Sequence, residues 1–290
     1  MWLIVGANGQ LGRCLQDALT RQHIEFVAAP YSDLDISDAQ AVSHFVSSHS
    51  FSTIVNCAAW TAVDDAEDHE AEALRINYEG PRNLAIAAKA TGARLIHLST
   101  DYVFSGDATA PYTVNTPTNP LNAYGRTKLK GDEAVLEIGE GQFPVIRTAW
   151  LYSKYGKNFA KTMASRAIQG LPVRVVDDQV GQPTLAGDLA QLIVSVANVG
   201  ESPSIIHGTN PGEATWFDFA REIYELLGAD VSLVSPVPSA EFPTKAKRPS
   251  YSVLDHSELA GTSIDKLRDW KSALRDEISN IQQHVTSEMK

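Results

Sequence analysis

Trp2-Leu3-Ile4-Val5-Gly6-Ala7-Asn8-Gly9-Gln10-Leu11-Gly12 runs a short apolar segment straight into three glycines spaced at intervals of three. Such an order reads as a strand, a tight turn and the start of a helix. Gly6 permits the turn, Gly9 lets backbone approach a pyrophosphate, and Gly12 lets the helix pack closely on the sheet, with the phosphates facing the helix N-terminus. The loop lacks the lysine of a Walker cradle. A glycine turn without a ligand is the competing reading for the spacing alone; the flanking strand and helix favour a dinucleotide.

The same alternation continues downstream. Apolar or β-branched runs at Glu25–Ala29, Thr53–Cys57, Arg94–Ser99 and Phe143–Thr148 are separated by segments of helical spacing at Gln10–Gln22, Asp38–His49, Ala71–Thr91 and Ala123–Leu136. Repeated βα units imply an α/β fold with a Rossmann-type, doubly wound parallel sheet. After Trp150 the rhythm loosens into helices at Asn158–Gln169, Gly187–Ala197, Trp216–Leu227 and Ser272–Thr286 among short strands. The expectation is a dinucleotide-binding domain over residues 1–150 and a smaller C-terminal α/β lobe over 151–290 that mainly binds substrate, with 185–207 returning to the first domain. Ala110–Pro120 and Ser235–Pro249 read as long loops. No internal repeat or low-complexity block is present.

Composition narrows the class. With 43% hydrophobic and 20% charged residues, the 290-residue chain lies in the globular range. A net charge of -11 argues against a nucleic-acid partner, which needs clustered Lys and Arg. No run approaches the roughly 20 apolar residues that cross a bilayer, and no secretion signal is evident, so the expected setting is cytoplasmic, without a membrane partner. The two cysteines, Cys14 and Cys57, are expected as free thiols.

Two further segments carry chemistry. Tyr124-Gly125-Arg126-Thr127-Lys128 sets a phenol and an ammonium four residues apart, on one helix face. A neighbouring lysine charge favours phenolate and brings the tyrosine closer to a pH where it exchanges protons. Ser99-Thr100-Asp101-Tyr102 closes the fourth strand at the sheet edge where such folds bind ligands, and a Thr100 hydroxyl there can meet a carbonyl oxygen. Thr100 as a strand-end cap and Asp101 as a turn residue remain open. The second strand ends in Ala28-Ala29-Pro30-Tyr31, without the acidic residue that bonds a ribose 2′-hydroxyl. That points towards NADPH, with NADH as the alternative.

Taken together, Gly6–Gly12, Ala58-Ala59-Trp60-Thr61-Ala62-Val63-Asp64, Ser99–Phe104, Pro120–Lys128, Arg147-Thr148-Ala149-Trp150, Asn158–Met163 and Asp178-Gln179-Val180-Gly181-Gln182-Pro183-Thr184 resemble the extended short-chain dehydrogenase/reductases. Within that superfamily the chain is similar over nearly its whole length to the dTDP-4-dehydrorhamnose reductases. The resemblance implies NAD(P)H-dependent reduction of the C4 ketone of dTDP-4-dehydro-L-rhamnose to dTDP-L-rhamnose, the last step in making that sugar donor. It implies catalytic roles for Tyr124 (proton donor), Lys128 (holding the nicotinamide ribose) and Thr100 (orienting the carbonyl). Cofactor contacts are implied at Gly6, Asn8, Gly9, Gln10, Leu11 and Gly12, at Asp35 and Ile36, at Ala58, Ala59, Trp60 and Thr61, and at Leu98. Substrate contacts are implied at Val63, Asp101, Tyr102 and Trp150, with Arg248 as a candidate for the diphosphate. Trp150 as a core aromatic and Arg248 as a solvated loop residue are the plainer readings.

Trp60 departs from the smaller or imidazole side chains expected there. Cys14 stands where some relatives carry a glutamate that helps bind Mg²⁺ at a dimer contact, so a metal is not expected to be essential, and the chain is expected as a monomer or homodimer. Two alternatives stand beside the reductase: another nucleotide-sugar epimerase or dehydratase of the same superfamily, and a non-catalytic regulatory subunit with this fold.

Overall fold

The computed structural model describes residues 1–289. In chain order the elements are β1 (Trp2–Val5), α1 (Gln10–Arg21), β2 (Phe26–Ala29), α2 (Ala39–Ser47), β3 (Thr53–Asn56), α3 (Glu70–Leu74), α4 (Gly80–Thr91), β4 (Arg94–Thr100), α5 (Ala123–Ile138) and β5 (Val145–Thr148). They continue with β6 (Leu151–Tyr152), α6 (Phe159–Ile168), β7 (Val173–Val176), β8 (Val180–Gly181), β9 (Thr184–Leu185), α7 (Ala186–Asn198), β10 (Ile205–His207), β11 (Ala214–Thr215), α8 (Trp216–Leu226), β12 (Val234–Val237) and α9 (Trp270–Glu288).

Six strands form one parallel sheet in the order β10-β5-β4-β3-β1-β2. Strands covered on both faces need continuous apolar runs rather than alternation, and β1 and β3 are buried at every position. One face packs Leu11, Leu15 and Leu19 of α1 against Leu189, Leu192 and Ile193 of α7. The other packs Val42 and Val46 of α2 and Leu84 and Ala88 of α4 over Leu3, Val5, Ile54 and Leu95. A further cluster gathers Met163 of α6, Phe219 and Ile223 of α8 and Leu274, Ile278 and Ile281 of α9. The doubly wound parallel sheet expected from the βα rhythm is therefore present.

Two segments differ from the sequence reading. Ala71–Thr91 is not one regular helix: between α3 and α4 the turn Arg75–Glu79 widens to π-helical hydrogen bonding. Pro81 has no N–H to offer the carbonyl of Asn77 four residues earlier, which removes the bond that would hold the turn at α pitch. The proline-rich Ser235–Pro249 is not all loop. Its first residues belong to β12, which pairs with β7 in a two-stranded sheet where Pro236 lies at an edge.

The freed Asn77 carbonyl decides how closely α5 approaches. Gly131 of α5 packs directly on it, and a Cβ there would collide with the oxygen. Gly131→Ala is expected to lower the unfolding free energy by about 1–3 kcal/mol, the usual range for overpacking, seen as a lower urea midpoint. An unchanged midpoint would mean that α5 can move away without cost.

Candidate active site

The C-terminal ends of β1, β3, β4 and β5 open into one cavity of about 520 Å³. It is lined by Asn8, Gly9, Gln10 and Leu11 after β1, by Cys57, Ala59, Thr61 and Val63 after β3, and by Leu98 to Tyr102 at the end of β4. Tyr124 and Lys128 of α5 and Thr148 to Leu151 after β5 complete the wall, with Gly156 and Lys157 at one side. The place is the one where open parallel sheets bind ligands, beside the reversal of strand order.

Gly6 has φ +72°, and a Cβ on it would stand 2.6 Å from the Ala58 nitrogen. Only glycine makes this turn and lets the ends of β1 and β3 meet. Gly9 then occupies the N-cap of α1, where no side chain caps the first N–H groups. Those donors, with the positive end of the helix dipole, are free to take an anion from the cavity. Gly12 is packed so tightly that a Cβ would be 2.5 Å from the Gly6 carbonyl, so Gly6 and Gly12 shape the loop while Asn8 to Leu11 line it.

The helix α5 starts at Asn122, whose side chain accepts from the Gly125 N–H and donates to the Lys247 carbonyl. Its register puts Tyr124 and Lys128 side by side in the cavity wall, although Lys128 is only 1% exposed. Lys128 Nζ donates to the Leu98 carbonyl at 2.6 Å. Burial lowers its pKa from 10.5 to about 8, against the raising charge of Asp132. The Tyr124 phenol goes the other way: burial pushes it well above its ordinary value, with the nearby Thr100 hydroxyl opposing the shift. The sequence reading of a phenol drawn down by Lys128 is corrected here, because desolvation of the phenolate outweighs a cation that is turned back to a main-chain carbonyl.

Thr100 donates to Asp101 Oδ1 at 3.0 Å and accepts from the Tyr102 N–H at 3.2 Å, so it is both a cap and a cavity hydroxyl. Burial raises the Asp101 carboxyl from 3.8 to about 6, against the hydroxyls of Ser252 and Thr100, of which Thr100 donates to Oδ1 while Oδ2 has no partner. The Tyr102 ring meets Tyr124 edge-on, centroids 5.6 Å apart.

Trp150 holds the opposite wall in a left-handed conformation, φ +45°, which costs a non-glycine residue about 1–3 kcal/mol. Its ring stacks on Trp216 at 3.6 Å with an 8° interplanar angle, and Gly181 leaves the space its indole fills. It is therefore a cavity wall held by the C-terminal segment, and neither Trp216 nor Gly181 was singled out from sequence. Two tryptophans 66 residues apart carry no local signal.

Other sequence candidates lie outside this wall. Asp35 accepts from the Ser37 N–H and hydroxyl, and Ile36 is buried against Gly80. The Ala58 N–H donates to Asn56, and the Trp60 N–H to Asn77. Arg248 is committed to Asp64 Oδ2 at 2.7 Å. Lys157 and Thr148 line the cavity without having been named as contacts, and Cys57 lines it at the end of β3, where the sequence reading set its backbone. Both cysteines are free, and burial pushes each thiol up to about 12, so both stay protonated. No helix is long and apolar enough to cross a membrane, and no group of metal-binding side chains occurs, among the described residues.

A family model described as the RmlD substrate binding domain matches residues 1–283. The chain is 46% identical over 281 residues to a probable dTDP-4,6-dihydroxy-2-methyloxan-3-one 4-ketoreductase of Streptomyces antibioticus, covering 97% of this chain and 95% of the relative. It is 45% identical over 279 residues to a dTDP-4-dehydrorhamnose reductase of Streptomyces griseus, covering 95% and 92%. A solved dTDP-4-dehydrorhamnose reductase of Bacillus anthracis in complex with NADP superposes with a TM-score of 0.92 at 36% identity, covering 96% of this chain and 98% of that one.

The buried ammonium has a measurable cost. A lysine whose folded pKa is depressed to about 8 adds stability only above its unfolded value, and that stability is lost as pH falls through about 8. At pH 7 the charge is a burden, so Lys128→Met is expected to raise the unfolding free energy by up to about 3 kcal/mol. The gain should shrink as pH climbs from about 8 towards 10.5, in denaturant titrations across that window. A gain that does not depend on pH would contradict the burial account.

Proposed function

The chain belongs to the RmlD substrate binding domain family, which includes the dTDP-4-dehydrorhamnose reductases, and from that membership we propose that its site reduces the C4 ketone of dTDP-4-dehydro-L-rhamnose to dTDP-L-rhamnose with NADPH. The observation that carries the reading is one cavity in which the uncapped N-terminus of α1, a protonated phenol and a buried ammonium converge. The fit to a dinucleotide rests on the loop itself: with Gly9 at the N-cap no side chain caps the first N–H groups of α1, and Gly6 lets the two strand ends close beneath them. The backbone of Asn8 to Leu11 would hold the diphosphate, with Asp35, Ile36, Ala58, Ala59, Trp60 and Thr61 towards the adenosine and Leu98 beside the nicotinamide end. When bound, the nicotinamide supplies the hydride.

The chain's own residues do the rest. Thr100 and Tyr124, side by side in the cavity wall, face the ketone oxygen and orient it. Tyr124 keeps its proton in the buried site until negative charge grows on that oxygen, then donates it. Lys128, charged at neutral pH, has N–H groups to spare for a ribose hydroxyl. Val63, Asp101, Tyr102 and Trp150 form the sugar side, where the Asp101 carboxyl suits a sugar hydroxyl. Arg248 holds Asp64 through Nη2 and leaves Nη1 buried without a partner, so it stands as a candidate for the diphosphate beside Lys157 in the cavity wall. The proposal includes a division near residue 150, with the dinucleotide contacts before it and a C-terminal lobe after it that closes the sugar side formed by Val63, Asp101, Tyr102 and Trp150.

A neighbouring dTDP-4-keto-6-deoxysugar is the second reading, favoured by the 46% identity to the ketoreductase of Streptomyces antibioticus. Loss of NADPH absorbance with each sugar nucleotide separates the two, and epimerase chemistry would leave added NADPH unconsumed. Tyr124→Phe removes a proton donor and little surface. It is expected to cut turnover by about 10²–10⁴-fold while leaving NADPH affinity nearly unchanged. Wild-type turnover in this variant would overturn the assignment.

A further inference from the structure

Behind the cavity wall, β3, β4, β5 and α5 bury polar groups around Lys128, of which Asn56, His97, Ser99, Asp132 and Arg147 have no part in the scheme above. Lys128 and Asp132 lie one turn apart on α5, at 1% and 0% exposure. The His97 ring of β4 stands between them, its Nε2 3.4 Å from Lys128 Nζ and 3.7 Å from Asp132 Oδ1. Ser99 donates to Asp132 Oδ2 at 2.8 Å, and Arg147 of β5 stands 3.4 Å from the same oxygen. Asp101 after β4 and Tyr124 one turn earlier on α5 complete the titratable groups around the ammonium.

Asn56 of β3 decides the form of the imidazole. Its Oδ1 accepts from the Ala58 N–H at 3.1 Å, which turns its amide nitrogen towards His97 Nδ1, also at 3.1 Å. An N–H donor on that side makes Nδ1 the acceptor, so the proton of the neutral ring sits on Nε2. Burial, with the Lys128 charge adding to it, holds His97 neutral. Its Nε2–H cannot accept from Lys128, and Asp132 Oδ1, 3.7 Å away, stands near it at more than hydrogen-bond length. Of the three ammonium N–H groups, one is spent on the Leu98 carbonyl and none can be spent on His97. The others turn to the cavity.

We propose that Asp132 is a positioning residue for Lys128: across the His97 ring it supplies the negative charge that keeps the ammonium protonated, and with Asn56 it fixes the imidazole in the form that turns the free N–H groups into the cavity. The proposal deepens the reductase reading and rests on Lys128 acting there as a cation. Burial alone opposes that charge, and Asp132 is the group that opposes burial. Asp132→Asn leaves shape nearly intact and removes the charge. It also strips Arg147 of its partner, so a loss of stability follows from any role of Asp132 and decides nothing.

The pH dependence of kcat/KM for ketone reduction, and of NADPH affinity, decides it, measured for wild type, Asp132→Asn, Asp132→Glu and Lys128→Met. Without the carboxylate, Lys128 gives up its proton at lower pH. The alkaline limb of Asp132→Asn is expected to move towards acid by about one unit, roughly a tenfold loss on that limb, while Asp132→Glu keeps the wild-type limb. A uniform loss with an unmoved limb overturns the proposal while leaving the role of Lys128 standing. Wild-type rate and affinity in Lys128→Met overturn that role and the proposal with it. Should Asp132→Asn not fold, ¹⁵N NMR of wild-type His97 answers in its place: a proton on Nε2 supports the arrangement, and a proton on Nδ1 overturns it.

Discussion

A lysine ammonium held out of water at the end of a parallel strand constrains everything around it. The fold supplies the Leu98 carbonyl at 2.6 Å, which Lys128 takes because the last residues of β4 pass directly beneath α5. For α5 to lie that close, Gly125 must sit against the Tyr102 carbonyl and Gly131 against that of Asn77. The second contact exists because Pro81 opens the helical turn before α4. The proton-transfer wall thus depends on backbone packing well away from it, through residues that carry no chemistry of their own.

Charge compensation explains why polar side chains occupy core positions here. Lys128 and Arg147 are two buried cations with Asp132 between their elements, and Arg147 also lies over the Phe104 ring at 5.2 Å. Replacing such a cluster by apolar residues commonly costs a fold nothing or stabilises it. Its retention beside the cavity is understandable if the charge of Lys128 is needed there. The opposite wall follows a similar rule, since Trp150 adopts a costly backbone conformation and is held in it by Trp216 and by the space Gly181 leaves.

How much of this could be read from sequence follows from the range of the interactions. The glycine loop, the first five strands and the Tyr124/Lys128 pair are local patterns, and each stands where its spacing put it. β10 is only three residues long; the sequence reading returned its segment, 185–207, to the first domain but did not identify the strand, which is defined by its pairing with β5. His97 sits inside the apolar run Arg94–Ser99 and reads as strand, and Asp132 reads as the solvated side of a helix; their pairing needs β4 and α5 in register. The upward shift of Tyr124 was also out of reach, because a spacing of four residues says that two groups are neighbours and nothing about how much water surrounds them.

That shift bears on the direction of the proposed chemistry. A phenol depressed towards neutrality would release its proton easily and serve as a base for oxidising an alcohol. A phenol raised by burial keeps its proton until a stronger base, an alkoxide, forms beside it, and then transfers it with a favourable driving force. Lys128 shifts the opposite way for the same reason, since burial disfavours the charged form of both groups. Only the lysine has a carboxylate set to oppose the effect; for Tyr124 the charges of Asp101 and Asp132 add to it. One buried acidic environment therefore keeps the acid protonated and the cation charged, the pair of states that reduction of a ketone requires.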